Sequence, residues 1–210
     1  MASLYDFELS AECYQVRLFM ALNGIGYETQ PVDIFPGRDQ DEDWFRRMSP
    51  EGRLPVLVDG PNTIAGALDV LRYLAAGRAE DNWLGSDGQA DELMGWLQRS
   101  EQLGATLGAA RLAMNFGVDA DIPALQAEGR SLLRQIDEHL WFAERETAGW
   151  LLPGDAPTLA DIACFPDLAL CEEGGLSRQE FPAIRRWLDR VKRLDGFVTM
   201  SGVFPTAAAK

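Results

Sequence analysis

The chain has 210 residues, 47% of them apolar and 25% charged. That suits one large globular domain or two small ones and excludes a disordered chain, a collagen and a disulfide-stapled miniprotein. With 19 Lys and Arg against 33 Asp and Glu the net charge is −14, so nothing electrostatic draws the chain to nucleic acid or an anionic membrane.

In chain order, the first part alternates strand and helix patterns. Residues 3–8 (SLYDFE) set apolar or aromatic side chains at alternate positions and read as a strand. Ser10 is an N-cap candidate for the next segment. There Val16, Leu18, Phe19, Ala21 and Leu22 give apolar helix positions, and Asn23, Gly24 and Gly26 give the stop. Residues 27–35 (YETQPVDIF) read as a second strand, and 39–50 as a short charged helix ended by Pro50. Residues 53–60 (RLPVLVDG) read as a third strand broken by Pro55, 62–65 (NTIA) as a fourth, and 67–77 as a helix. The strand–helix–strand start implies a parallel pair. The DGPN turn between the last two strands implies an antiparallel hairpin. Residues 78–88 are polar and turn-rich and are expected to be a linker. Beyond them 91–117, 122–146, 158–175 and 182–195 all carry the 3.6-residue period. The reading is therefore an α/β domain over 1–77 and an all-helical domain over 89–210, with a frayed C-terminal tail.

Three cysteines, Cys13, Cys164 and Cys171, are odd in number and widely spaced, which fits neither a disulfide framework nor a zinc site. The single histidine, His139, lies in a long amphipathic segment and is expected to be structural, and no metal site is expected. No basic region followed by an apolar run opens the chain, and no apolar run reaches bilayer length. A reduced, cytoplasmic protein is expected.

Two segments are candidates for chemistry. Pro55 within a strand pattern costs a ladder hydrogen bond. It marks either an edge strand or a cis X–Pro bond that leaves the backbone of Leu54 free to pair with a peptide-like ligand. At Ser10-Ala11-Glu12-Cys13 a helix N-terminus offers unpaired N–H groups and partial positive charge, which stabilise a thiolate. Ser10 is there either a cap alone or a hydrogen-bond donor to that thiolate. Separately, Thr158 and Asp161 have capping-box spacing and are read as structural.

With these segments in register, the chain resembles the glutathione transferase superfamily over nearly its whole length. Residues 4–28 look like the family's first strand, active-site turn and helix, and 48–60 like its cis-proline segment. Residues 156–170 look like the bundle's folding motif, and 181–197 like the last helices of bacterial members. The resemblance implies a thioredoxin-like N-terminal domain, a helical C-terminal domain and a homodimer. It implies glutathione as co-substrate and a small apolar electrophile as its partner in a detoxification-type reaction. Ser10 then matches the catalytic hydroxyl. Leu54, before Pro55, matches the residue whose backbone pairs with the cysteinyl unit, and Arg53 a position that helps bind the glycyl carboxylate. Arg111 matches a position facing the second substrate, or else is a surface arginine.

Two positions depart from that pattern. An acidic residue and Ser normally hold the γ-glutamyl group, but here Gly66 and Ala67 stand in their places. Losing two hydrogen bonds to charged groups at roughly 1.5–3 kcal/mol each weakens glutathione by about two to four decades. Restoring the pair is then expected to tighten it. Glu12 stands where related sequences carry an amide donor. It is either a favourable first-turn acid or a general base. Cys13 is either inert or a helix-terminal nucleophile. Arg17, Arg53 and Arg111 are the candidates for a locally basic cleft. A glutathione-dependent transferase, isomerase or reductase is the first expectation. The alternative is a divergent member without the usual glutathione site: a small-molecule or protein binding module, or a glutathione-independent catalyst using Glu12.

Overall fold

The computed structural model describes residues 1–77 and 82–200. The expected frayed tail, 205–210, lies outside the described residues. Strand β1 (Ala2–Asp6) runs into helix α1 (Ala11–Leu22), β2 (Tyr27–Pro31), a 3-10 turn (Asp39–Asp41) and α2 (Asp43–Arg46). Then come β3 (Val56–Asp59), β4 (Asn62–Ala65) and α3 (Ala67–Ala76). The sheet order is β2-β1-β3-β4. β1 pairs in parallel with β2, and β3 is antiparallel to both β1 and β4, as the crossover and the tight turn imply. This is a thioredoxin-like unit.

Several expected bounds shift. β1 spans Ala2–Asp6 instead of 3–8, and the helix expected over 39–50 is a 3-10 turn followed by the four-residue α2. β2 ends at Pro31, which has no N–H to continue a ladder. β3 starts at Val56, so Pro55 precedes the strand instead of interrupting it.

The rest is helical: α4 (Ala90–Leu103), α5 (Ala109–Phe116), α6 (Ile122–Glu146), α7 (Leu159–Leu170) and α8 (Pro182–Val191). The single run expected over 91–117 is divided by a π-helical turn at Gly104–Gly108. Helix α7 is buried along its whole length and forms the axis of the core. Its start is fixed by the Thr158–Asp161 capping box, and Asp161 also accepts from Leu151 N (3.0 Å) and Trp187 Nε1 (2.8 Å). No described helix is long and apolar enough to cross a membrane.

Side chains bolt the two parts together. Gln15 Nε2 on α1 donates to Ala163 O on α7 (2.8 Å), and Tyr14 Oη donates to Val198 O (2.6 Å). Of the expected linker, 78–81 lie outside the described residues, and the remainder is fastened. Trp83 Nε1 donates to Asn23 Oδ1 (2.8 Å), and Trp83 O accepts from Leu159 N (2.9 Å). His139 is structural, with Nε2 2.9 Å from Leu151 O and the ring against Trp96.

Candidate active site

The cleft between the two parts is built around the start of α1. Ser10 has extended backbone (φ −77°, ψ 126°), and its Oγ accepts from Cys13 N at 3.2 Å. It is the N-cap that its residue type predicts. Only the acceptor side of the hydroxyl is engaged among the described residues, so the O–H proton stays available to a ligand. The Cys13 thiol is buried, and burial pushes its pKa up to about 12. That removes Cys13 as a thiolate nucleophile at neutral pH.

Leu54–Pro55 is cis, and Phe35–Pro36, which the sequence did not single out, is cis as well. The Leu54 side chain is buried in one cluster with Cys13, Val32, Phe45 and Val56, which places the Leu54 backbone next to the Ser10 turn. Pro55 O accepts from Gly66 N (2.8 Å), while among the described residues the N–H and C=O of Leu54 take no partner.

The arginines divide differently from the expectation. Arg17 is committed to Asp6 (2.6 Å) and Glu8 O (2.8 Å). Arg111 is neither a surface residue nor free to face a substrate. It is buried, pairs with Glu173 (2.6 Å) and donates to Leu9 O (3.0 Å), so it fixes α5 to the residue before Ser10. Of the three, only Arg53 makes no ion pair among the described residues. Its guanidinium lies over Gly66, where a built Cβ would stand 2.6 Å from Nη2.

The Arg53 tip can swing aside or pair with a restored carboxylate, but the Gly66 backbone works against the restored pair. Gly66 has φ +95°, a region that costs a side chain about 1–3 kcal/mol. A glutamate there also meets Arg53. Gly66→Glu with Ala67→Ser is therefore expected to destabilise the fold by about 1–3 kcal/mol and to tighten glutathione less than about tenfold. Urea unfolding and calorimetry of the double variant measure both.

Arg53 also lines a cavity of about 390 Å³, with Glu12, Gln15, Ala67, Leu68, Ser100, Glu101, Gly104, Ala105 and Asp167. Glu12 reaches solvent at its mouth. Its pKa is raised, first because protein atoms crowd the carboxyl and then by Glu101, against the opposing charge of Arg53. Asp167 is 5% exposed, and burial, reinforced by Glu12 and opposed by Arg111, lifts its carboxyl to about 7. Sequence reasoning missed Asp167, Gln15 and Glu101. For Asp167 part of the signal was present: a second carboxylate after Asp161, beside Pro166, in a mostly apolar helix.

A carboxyl raised from 3.8 to about 7 keeps its proton in the fold after the unfolded chain has lost it. Its contribution to stability therefore falls as pH rises through that window and levels off above it. Asp167→Asn is expected to remove this part of the pH slope, giving a variant more stable than wild type at pH 8 than at pH 5. Urea midpoints at the two values check it.

A thioredoxin-like unit with a capped serine turn, a cis X–Pro segment beside it and an all-helical second unit define the glutathione transferase fold. The glutathione S-transferase N-terminal domain model matches residues 4–81. A maleylacetoacetate isomerase of Pseudomonas aeruginosa is 28% identical over 205 residues, covering 89% of each chain. A dichloromethane dehalogenase of Methylophilus leisingeri is 29% identical over 173 residues, and the match spans 78% of this chain but 61% of that enzyme. A glutathione S-transferase structure from Pseudomonas fluorescens superposes with a TM-score of 0.85 at 25% identity, covering 95% of this chain and 98% of that one. The N-terminal unit thus matches the glutathione S-transferase family, and the whole chain shares the glutathione transferase fold.

Proposed function

We propose that the chain is a glutathione-dependent enzyme that transfers glutathione to, or isomerises, a small apolar electrophile. The observation that carries this is three groups without a hydrogen-bond partner among the described residues: the backbone N–H and C=O of Leu54, and the hydroxyl proton of Ser10 at the α1 N-terminus. An extended cysteinyl unit pairing with Leu54 would bring its sulfur to that hydroxyl. The Ser10 O–H and the helix N-terminus then favour the thiolate, with the thiol proton passing to solvent.

In conjugation, the thiolate's electron pair forms the new S–C bond while the leaving group departs with its own pair. In isomerisation, sulfur adds to an activated double bond and is expelled after rotation. Phe35 and Phe116 meet edge to face at 5.9 Å across the two parts of the cleft, an apolar rim suited to such a substrate. Glu12 opens onto the cavity with Arg53, which favours a binding task over that of a general base. We also propose a homodimer, which light scattering would test.

Calorimetric titration with reduced glutathione tests the reading. Binding in the micromolar to low-millimolar range is expected, followed by turnover in a screen of halogenated and α,β-unsaturated electrophiles. No binding at several millimolar would overturn it and leave a divergent binding module.

A further inference from the structure

A second groove, of about 370 Å³, runs along α6 to the start of α8 and shares no residue with the cavity beside Ser10. Its apolar side is aromatic. Phe181 is buried at the start of α8, whereas Trp141 and Phe142 on α6 are 40% and 49% exposed. Their rings meet at 87° with centroids 4.9 Å apart. The groove thus has an aromatic corner that is still in water, which is surface a ligand can cover.

Its charged side is acidic: Asp137, Glu138 and Glu180, with Arg134 as the one cation among the lining residues. Positions 134, 137, 138, 141 and 142 recur every three or four residues, so α6 presents them on one face. Asp137 accepts from Ile184 N (2.9 Å) in the first turn of α8. Glu180 has Arg130 no nearer than 4.0 Å. Among the described residues Glu138 takes no hydrogen bond and no ion pair. Three carboxylates against one guanidinium leave the groove two charges negative, on a chain whose field already favours cations.

The fold itself shows what the indole holds. Arg145, one turn after Trp141, lays its guanidinium over the ring with Cζ 3.2 Å from the centroid, and its Nη1 donates to Trp141 O (2.6 Å). Arg145 does not line the groove, so it fixes the ring as a cation platform without filling the space beside it.

An aromatic corner next to unneutralised carboxylates matches a cation that carries its own apolar surface. A neutral apolar ligand leaves the carboxylates unanswered, and an anion is repelled. A metal ion leaves the rings unanswered, and among the described residues no three Asp, Glu, His or Cys side chains gather to hold one. We infer that this groove binds a small organic ammonium, its apolar part against Trp141 and Phe142 and its charge on Glu138 and Glu180. The site is separate from the glutathione cleft and does not depend on it.

The test is an NMR titration at pH 7 that follows the Trp141 indole N–H signal, assigned by its loss in Trp141→Leu. The probes are matched in size and differ in charge: 2-phenylethylammonium, 2-phenylethanol and phenylacetate. In wild type the ammonium is expected to move the Trp141 signal and to bind about tenfold more tightly than the alcohol, with phenylacetate weakest. Glu138→Gln with Glu180→Gln is expected to lose about tenfold for the ammonium and nothing for the alcohol. Phe142→Ala is expected to weaken both.

These positions are at the surface, so the variants should unfold in urea near the wild-type midpoint. The inference is overturned if the ammonium leaves the Trp141 signal unmoved at tens of millimolar, or binds no better than the alcohol. It is overturned equally if the double glutamine variant keeps the preference, since the ammonium then sits at other carboxylates. If Phe142→Ala binds both probes as wild type does, the aromatic corner is not the platform and the inference falls. None of these outcomes bears on glutathione binding in the cleft.

Discussion

Asp161→Ala is expected to lower the unfolding free energy by at least about 3 kcal/mol, against a total of about 5–15 kcal/mol for a protein of ordinary stability. The side chain is fully buried and accepts from three N–H groups in three places: Thr158 N at the start of α7 (2.9 Å), Leu151 N before it (3.0 Å) and Trp187 Nε1 on α8 (2.8 Å). Alanine leaves all three donors buried and unpaired, at about 1–3 kcal/mol each, with the sum reduced because they share one site. The capping box alone accounts for about 1 kcal/mol of this, so Thr158→Ala is the control. Urea unfolding should show a lower midpoint at unchanged slope. A loss near that of Thr158→Ala would mean that Leu151 and Trp187 find other acceptors. The site should suffer as well, because α7 carries Asp167 into the cavity fewer than two turns after Asp161.

The elements were legible wherever the chain itself sets the period. SLYDFE alternates and forms β1, Ser10 caps α1, and the DGPN turn closes an antiparallel hairpin. Thr158 and Asp161 sit three apart, and the box forms. What was hidden depends on partners distant in sequence. Arg111 on an amphipathic helix reads as a surface residue until Glu173, 62 residues later, buries it. The π turn preserves the helical pattern on either side, so only its two glycines marked it. Gly66 read as a lost side chain, because nothing local shows its φ of +95° or that the Arg53 guanidinium lies over it. Asp167 stood out as a carboxylate in a mostly apolar helix, but what faces it across the cleft shows only in the fold.

Replacing Ser10 by alanine is expected to lower kcat/KM for glutathione-dependent turnover by about 10- to 100-fold. That is the value of one hydrogen bond to a charged group, about 1.5–3 kcal/mol, at 1.4 kcal/mol per decade. Two effects are combined in this variant. Ser10 Oγ accepts from Cys13 N (3.2 Å), so alanine also removes a helix cap, worth about 1 kcal/mol of stability. Ser10→Asp separates them, because an aspartate caps as well as a serine but, ionised, has no proton to give a thiolate. If the hydroxyl acts on sulfur, Ser10→Asp unfolds near the wild-type midpoint yet is as slow as Ser10→Ala. If it is only a cap, Ser10→Asp restores both stability and rate.

The pH profile gives an independent reading. A hydrogen bond that stabilises the thiolate works by lowering the pKa of the bound thiol. The alanine deficit should therefore shrink as pH rises toward that of an unassisted thiol, where solvent removes the proton without help. A deficit that stays constant with pH would place the hydroxyl on the electrophile instead of the sulfur.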